Sequence, residues 1–265
     1  MIDSDRPMDG EDPKDRNFVT ALARGLEVLR AFRANETELS NTDIARRTGL
    51  PKATVSRLTY TLCQLEYLVA DPRSGAYRLG PGVLQLGFGV LSGMEIGARA
   101  GPVLEDLTRG PNSYITAALG ERFRDQVIYV AVGQSSEDVA LSMHVGSRLP
   151  LFASAIGRAI LVGLAPADRA ALMAALDRAE PDGAAARARQ LDQARAEYES
   201  RGFCTGYGDW RADVNGIAVP VRSVNNDRVY GLNVGGPSFH VGAQELEEIY
   251  APRLIEAGRA LSLHR

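Results

Sequence analysis

The residues best suited to chemistry are Lys52-Ala53-Thr54-Val55-Ser56-Arg57. Lysine and arginine bind phosphate, arginine also grips a guanine edge at two points, and serine and threonine hydroxyls bond either. Val55, Leu58, Leu62 and Leu65 recur at spacings of three, four and three, which predicts a helix with one buried stripe. Lys52, Ala53, Thr54, Ser56 and Arg57 fall off that stripe, on the first turns, where a helix laid in a major groove reaches base edges. Upstream, Arg46 and Arg47 suit phosphate contacts. Downstream, Arg73 and Arg78 suit phosphates or a minor groove. Tyr60 and Tyr77 read as packing residues.

The surrounding elements would hold that helix in place. Val19, Leu22, Leu26, Leu29 and Phe32 predict a first helix with an apolar face. Ser40, with Asp43 three residues on, comes close to a capping box and opens a short second helix, which Thr48-Gly49 ends. Pro51 suits the first turn of the third helix, where its missing N–H costs nothing. Tyr67-Leu68-Val69, the turn cluster Asp71-Pro72-Arg73-Ser74-Gly75, and Tyr77-Arg78-Leu79 then predict a hairpin. Helix, helix, tight turn, helix and hairpin over residues 17–80 make a winged helix-turn-helix. That segment carries 9 basic and 6 acidic residues, net +3. The segments on either side, 1–16 and 81–265, each carry net -3. Such an asymmetry permits nucleic-acid binding without proving it.

A second constellation lies at Leu151-Phe152-Ala153-Ser154-Ala155-Ile156-Gly157, which leads into a helix. The unpaired N–H groups of a helix N-terminus and its positive dipole end make a seat for a carboxylate. Ser154 is either the cap of that helix, a donor to a ligand, or both, and Ala155 and Gly157 supply backbone there. His144 and Arg148 are weaker candidates to pair with an anion. No G-x-S-x-G, P-loop or H-E-x-x-H pattern occurs, so nothing in the chain reads as catalytic. Two cysteines (Cys63, Cys204) and three scattered histidines do not build a disulfide framework or a metal site.

The remaining organisation follows from periodicity. Residues 1–16 read as a disordered tail, acidic and without the apolar core of a secretory signal. Residues 81–97 read as a linker helix with more apolar surface than one domain can cover. Its partner is either its own domain or a second copy of the chain. Residues 98–265 alternate helices with strands near Tyr114–Leu119, Gln126–Val132, Val139–Val145, Gly202–Tyr207, Gly216–Arg222 and Val229–Val234. Short turns, such as Arg122-Phe123-Arg124-Asp125 and Asn225-Asn226-Asp227, join neighbours, so the fold class is α+β with a largely antiparallel sheet. No apolar run reaches the roughly 18 residues of a membrane span.

The run Leu39–Leu58, the wing end Tyr77-Arg78-Leu79-Gly80, and the stretches Ala153–Ala159 and Gly216–Val221 resemble IclR-type bacterial transcriptional regulators, over about residues 18–263. Arg158 stands where many members carry Lys. The resemblance implies a DNA-binding winged helix, a linker helix and a GAF/PAS-like effector domain. It implies a homodimer, or a pair of dimers, on a pseudo-palindromic operator in promoter DNA. It also implies pocket stretches around Asp209 and Trp210, Asn215, and Asn233. Trp210 is then a stacking lid over a ring, with Tyr207 beside it, or else a core residue. Hydroxybenzoates or protocatechuate are the expected effectors, with short acids such as pyruvate or glyoxylate also open. No cofactor is expected, and the cytoplasm is the expected location. The alternative from another class is an enzyme acting on a small organic acid, fused to a DNA-binding module.

Overall fold

The structure is a computed structural model that describes residues 17–33, 36–135, 137, 143–223 and 228–262. The expected tail at 1–16 and turn at 225–227 lie outside the described residues. The chain divides into two compact units, Met1–Gly93 and Met94–Arg265.

In the first unit, α1 (Thr20–Arg30), α2 (Asn41–Thr48) and α3 (Lys52–Gln64) precede a hairpin of β1 (Leu68–Ala70) and β2 (Tyr77–Leu79). The hairpin is antiparallel, with Val69 opposite Arg78. Local chemistry sets the helix ends. Ser40 Oγ accepts from the Asp43 N–H at 3.2 Å while Asp43 accepts from the Ser40 N–H, a complete capping box. Those bonds from Ser40 hold the Asp43 carboxyl below its ordinary pKa. Gly49 closes α2 at φ 70°, a left-handed position that glycine occupies without a Cβ penalty. Pro51 takes the capping position before α3, one residue earlier than its spacing predicts.

The core of this unit gathers Val28, Phe32, Leu39, Ile44, Val55 and Leu68. The apolar face of α1 is only half used. Leu29 packs against the core and Phe32 is buried in it, whereas Val19, Leu22 and Leu26 are exposed. On α3, Thr59 is fully buried and Leu65 is exposed, so the stripe ends a turn early. The segment 81–97 is not one helix. It forms α4 (Pro81–Ser92), breaks at Gly93-Met94, and resumes as α5 (Glu95–Thr108) in the second unit. Met94 has extended backbone at the break, φ -91° and ψ 91°.

The second unit is built on six antiparallel strands. They are β3 (Thr116–Phe123), β4 (Gln126–Gly133), β5 (Arg148–Pro150), β6 (Cys204–Tyr207), β7 (Val214–Arg222) and β8 (Val229–Pro237), in the order β5-β4-β3-β8-β7-β6. The strand expected at Val139–Val145 falls mostly on residues outside the described set. Its described part, Met143–Val145, is loop and turn, and the edge position goes to β5. The polar Ser147-Arg148 pair had masked β5, which is only three residues long.

One sheet face carries Ala117, Leu119, Ile217, Val219, Leu232 and Val234. They pack with α5 and with the last helix, where α9 (Ala243–Glu245) runs through a π-helical turn (Leu246–Tyr250) into α10 (Ala251–Ser262). The other face is covered by α6 (Ala155–Gly163), which is buried over nearly its whole length. Beyond it lie α7 (Pro166–Ala179) and α8 (Ala184–Arg201).

α6 lies against its neighbours because glycine stands at the contacts. A Cβ on Gly231 would come within 2.4 Å of Ile156 Cγ1, and one on Gly157 within 2.0 Å of the Leu151 carbonyl oxygen. At Gly157 every near atom is Leu151 backbone, so no side chain can move aside. Gly157→Ala is therefore expected to destabilise the second unit by about 1–3 kcal/mol, the usual range for overpacking. A lower urea midpoint at unchanged slope would register it. An unchanged midpoint would contradict it.

Candidate nucleic-acid interface and effector cavity

The free face of α3 carries Ala53, Ser56, Arg57, Tyr60 and Gln64, all exposed, at the three- and four-residue spacing of one helix face. Lys52 is also exposed at the first turn, and Thr54 is half-buried. Thr59 fixes the opposite face: its buried hydroxyl donates to the Val55 carbonyl and lies 3.2 Å from Asn41 Oδ1 on α2. Tyr60, read from the sequence as packing, is 67% exposed on the free face beside Arg57. Its i+4 offset from Ser56 was the signal for it. Tyr77 does pack on the core, its hydroxyl accepting from the Asn41 amide.

The two arginines ending α2 behave differently. Arg46 is 72% exposed and pairs with Asp43 at 2.8 Å. The Arg47 side chain is only 15% exposed; it donates to the Ala31 carbonyl at 2.7 Å and pairs with Glu36. It ties α2 to the end of α1, so its guanidinium faces the protein. Arg73 lies in the wing turn, where its N–H donates to Asp71 at 2.9 Å, and Arg78 projects from β2; both are exposed.

In the second unit, a cavity of about 470 Å³, open mouth included, lies where the N-terminus of α6 meets the sheet. Ser154, Ala155 and Ile156 form its helix wall. Thr116 and Tyr129 come from β3 and β4, Asn215 and Gly216 from β7, Asn233 and Gly235 from β8, and Trp210 from the loop after β6. No lining residue carries a charge, and Tyr129, wholly buried, has its phenol pushed well up by desolvation and stays neutral.

Ser154 is the helix cap. Its Oγ accepts from the Gly157 N–H at 3.2 Å and donates to the Pro150 carbonyl at 2.6 Å, so its proton is already used. Among the described residues, no protein acceptor faces the N–H groups of Ala155 and Ile156, the first two of the helix. They and the dipole they end are what the cavity offers an anion.

Other expected residues sit elsewhere. Gly157 does not line the cavity; it gives α6 room against Leu151. Asp209 is the partner of Arg158, at 2.7 Å. Arg158 is buried and also donates to the Phe152 and Thr205 carbonyls, so Asp209 balances an internal charge. Tyr207 packs toward the opposite sheet face and donates to Glu247 at 2.9 Å, which places it off the cavity. His144 and Arg148 are exposed and do not line it. Thr116 and Tyr129 went unrecognised because each is an ordinary strand residue whose position depends on pairing. Burial pushes the Cys204 thiol up to about 12, which leaves it unreactive.

Residues 21–72 match the IclR helix-turn-helix domain, and residues 88–263 match the bacterial transcriptional regulator IclR C-terminal family. The chain is 33% identical over 239 residues to the HTH-type transcriptional regulator TsaQ1/TsaQ2 of Comamonas testosteroni, spanning 89% of this chain and 85% of that one. It is 30% identical over 252 residues to the Pca regulon regulatory protein of Pseudomonas putida, spanning 93% and 84%. Its fold is similar to the crystal structure of an IclR family transcriptional regulator from Brucella abortus, with 40% identity, a TM-score of 0.80 and coverage of 96% and 95%.

The contrast between two arginines is testable by chemical denaturation. Arg47→Ala removes charge-assisted bonds from a largely buried group and is expected to cost about 1.5–3 kcal/mol. Arg57→Ala, on an exposed face, should stay within about 0.5 kcal/mol of wild type. Equal losses would contradict the division of roles.

Proposed function

Because the chain belongs to the IclR family of bacterial transcriptional regulators, we propose that it binds promoter DNA as a homodimer under the control of a small organic acid held at the N-terminus of α6. The family consists of regulators, and this chain is one of them rather than an enzyme. The observation that carries the reading is a pairing within one chain: an open polar helix face beside a wing, and a neutral cavity that ends on unpaired helix N–H groups.

On the DNA side, Ser56 and Arg57 are the base-reading candidates, with Tyr60 beside them. Lys52, Thr54, Arg46, Arg73 and Arg78 suit phosphates or the minor groove. On the effector side, an anion enters a cavity without countercharge and is held by N–H groups and the helix dipole. The half-buried Trp210 in the lining supports an aromatic acid, since a flat ring stacks on indole. An acid can alter DNA affinity only by binding two arrangements of the protein unequally.

The dimer reading rests on α4 and α1. Leu84 is 75% exposed, Leu86 and Val90 are exposed too, and Val19, Leu22 and Leu26 add to the uncovered apolar surface of the same unit. Water-exposed apolar area on this scale marks an association surface. A second copy covers it and presents two recognition helices to the two halves of a pseudo-palindrome.

Two measurements test these readings. Against duplex DNA selected in vitro by the full chain, Arg57→Ala is expected to lose about 1–3 kcal/mol of specific affinity, as for a lost two-point base contact. Wild-type affinity in a gel-shift series would reject that role. Sedimentation should show a dimer that Leu84→Glu with Val90→Glu converts to monomer. A dimer that persists would reject α4 as the contact.

A further inference from the structure

β6 stands at the edge of the sheet, next to β7. Successive residues of a strand point to opposite faces, and the end of β6 uses both. Gly206 lines the cavity, while Tyr207 beside it packs on the opposite face, where its hydroxyl donates to Glu247 at 2.9 Å. Arg201 pairs with the same carboxylate. Three residues beyond Tyr207, Trp210 lines the cavity again. A molecule in the cavity therefore touches a strand end whose other face is tied to Glu247.

Glu247 lies in the π-helical turn Leu246–Tyr250, between α9 and α10. Such turns are rare, occur singly inside α-helices and concentrate at functional sites. A π turn has an alternative in the α-helix, and the change moves one side of it by one residue, about 1.5 Å along the axis. It is an element with two discrete registers. The same turn is tied to the end of α5. The fully buried Tyr250 accepts from the Asn112 N–H at 3.1 Å, and the Asn112 amide donates to Glu245 at 2.9 Å. A Cβ on Gly110 would come within 2.4 Å of the Tyr250 hydroxyl oxygen, so the chain leaving α5 runs directly against that ring. Arg253 of α10 adds bonds to the carbonyl and carboxylate of Asp106 on α5. At its other end α5 begins one residue past the break at Gly93-Met94, where α4 and the first unit precede it in the chain.

One turn with two registers is thus held from the cavity side through Tyr207 and from the α5 side through Asn112. Coupling between separated sites requires such an element, biased by both. We propose that Glu247 is the positioning residue through which an occupied cavity acts on α5, and so on the DNA-reading unit that precedes it in the chain. An acid against Gly206 and Trp210 shifts the end of β6, Tyr207 carries the shift to Glu247, and the π turn changes register and moves the end of α5. Glu247 itself does not line the cavity. Its bonds from Arg201 and Tyr207 hold its carboxyl below the ordinary range, so it stays charged at neutral pH and keeps both partners. The inference rests on the acid-control reading of the cavity and adds a route to it.

The test uses the full chain, duplex DNA selected by it in vitro, and benzoate and 4-hydroxybenzoate as probes. Three quantities are measured in wild type, Tyr207→Phe and Glu247→Ala: acid affinity by calorimetry, DNA affinity without acid, and DNA affinity with saturating acid. A wild-type shift of about tenfold should fall below about threefold in each variant, while acid affinity and acid-free DNA affinity each stay within about threefold of wild type. Tyr207→Phe removes one oxygen and keeps the ring, so the test survives if Glu247→Ala does not fold. Hydrogen exchange supplies a second readout: the acid should alter amide protection over residues 105–113 in wild type and leave it unaltered in the variants. A full shift in either variant, a lost shift accompanied by lost acid or DNA binding, or wild-type protection that the acid does not alter would overturn the role of Glu247 and leave acid control standing. Wild-type DNA affinity that neither probe moves would overturn both.

Discussion

The closeness with which α6 meets the sheet is the constraint on which the second unit depends. A helix normally stands off a sheet by the length of the side chains between them. Here Gly231 of β8 lies under Ile156 and Gly206 of β6 under Ala155, each with helix backbone 2.8 Å from where a Cβ would stand. The helix therefore sinks into the sheet face, and its N-terminus opens into the cavity instead of toward solvent. Ser154 uses its hydroxyl to cap the helix and to hold the preceding turn, which leaves the Ala155 and Ile156 N–H groups directed at whatever enters. Buried Arg158, balanced by Asp209, then locks the first turns of α6 to the end of β6.

The first unit solves a comparable problem with charge in place of close contact. A three-helix core this small exposes much of its apolar surface, so the angle between α1 and α2 needs its own support. Arg47 supplies it by bonding the last turn of α1 and Glu36. The capping box at Ser40 and the left-handed Gly49 set where α2 begins and ends, and so where α3 starts. The outcome is a helix whose inner face is fixed by Val55 and Thr59 and whose outer face is left to polar side chains. The apolar residues that this core does not bury, on α1 and α4, are those that a second copy would cover.

Much of this was legible in the sequence where the determinants are local. Capping residues, a C-terminal glycine, helix-start proline and three-four spacing all act within one turn, and the winged helix followed from them. The regions that misled are those set by distant partners. Whether Leu22 is buried depends on what packs on α1, and nothing in its spacing says. Arg47 and Arg46 are adjacent arginines, and only the position of Ala31 and Glu36 separates a strut from an exposed cation. Thr116 and Tyr129 come to Asn233 because β3, hairpinned to β4, also pairs with β8 more than a hundred residues away. Asn233 was marked by resemblance alone, and Gly157 for a role its lack of a side chain fills differently. The linker helix was placed at 81–97, but its break at Gly93-Met94 depends on two units meeting in sequence, which periodicity does not register.

The central claim is that an acid seated at the N-terminus of α6 is what the DNA-reading unit responds to. Gly206 gives the most direct test, since a Cβ there would lie 2.8 Å from the Ala155 nitrogen and crowd the seat. The measurement is affinity for selected duplex DNA, titrated against a bound hydroxybenzoate, in wild type and in Gly206→Ala. The account predicts that the acid shifts wild-type DNA affinity, while Gly206→Ala binds DNA equally well without acid and no longer responds to it. A Gly206→Ala chain that answers the acid as wild type does would contradict it.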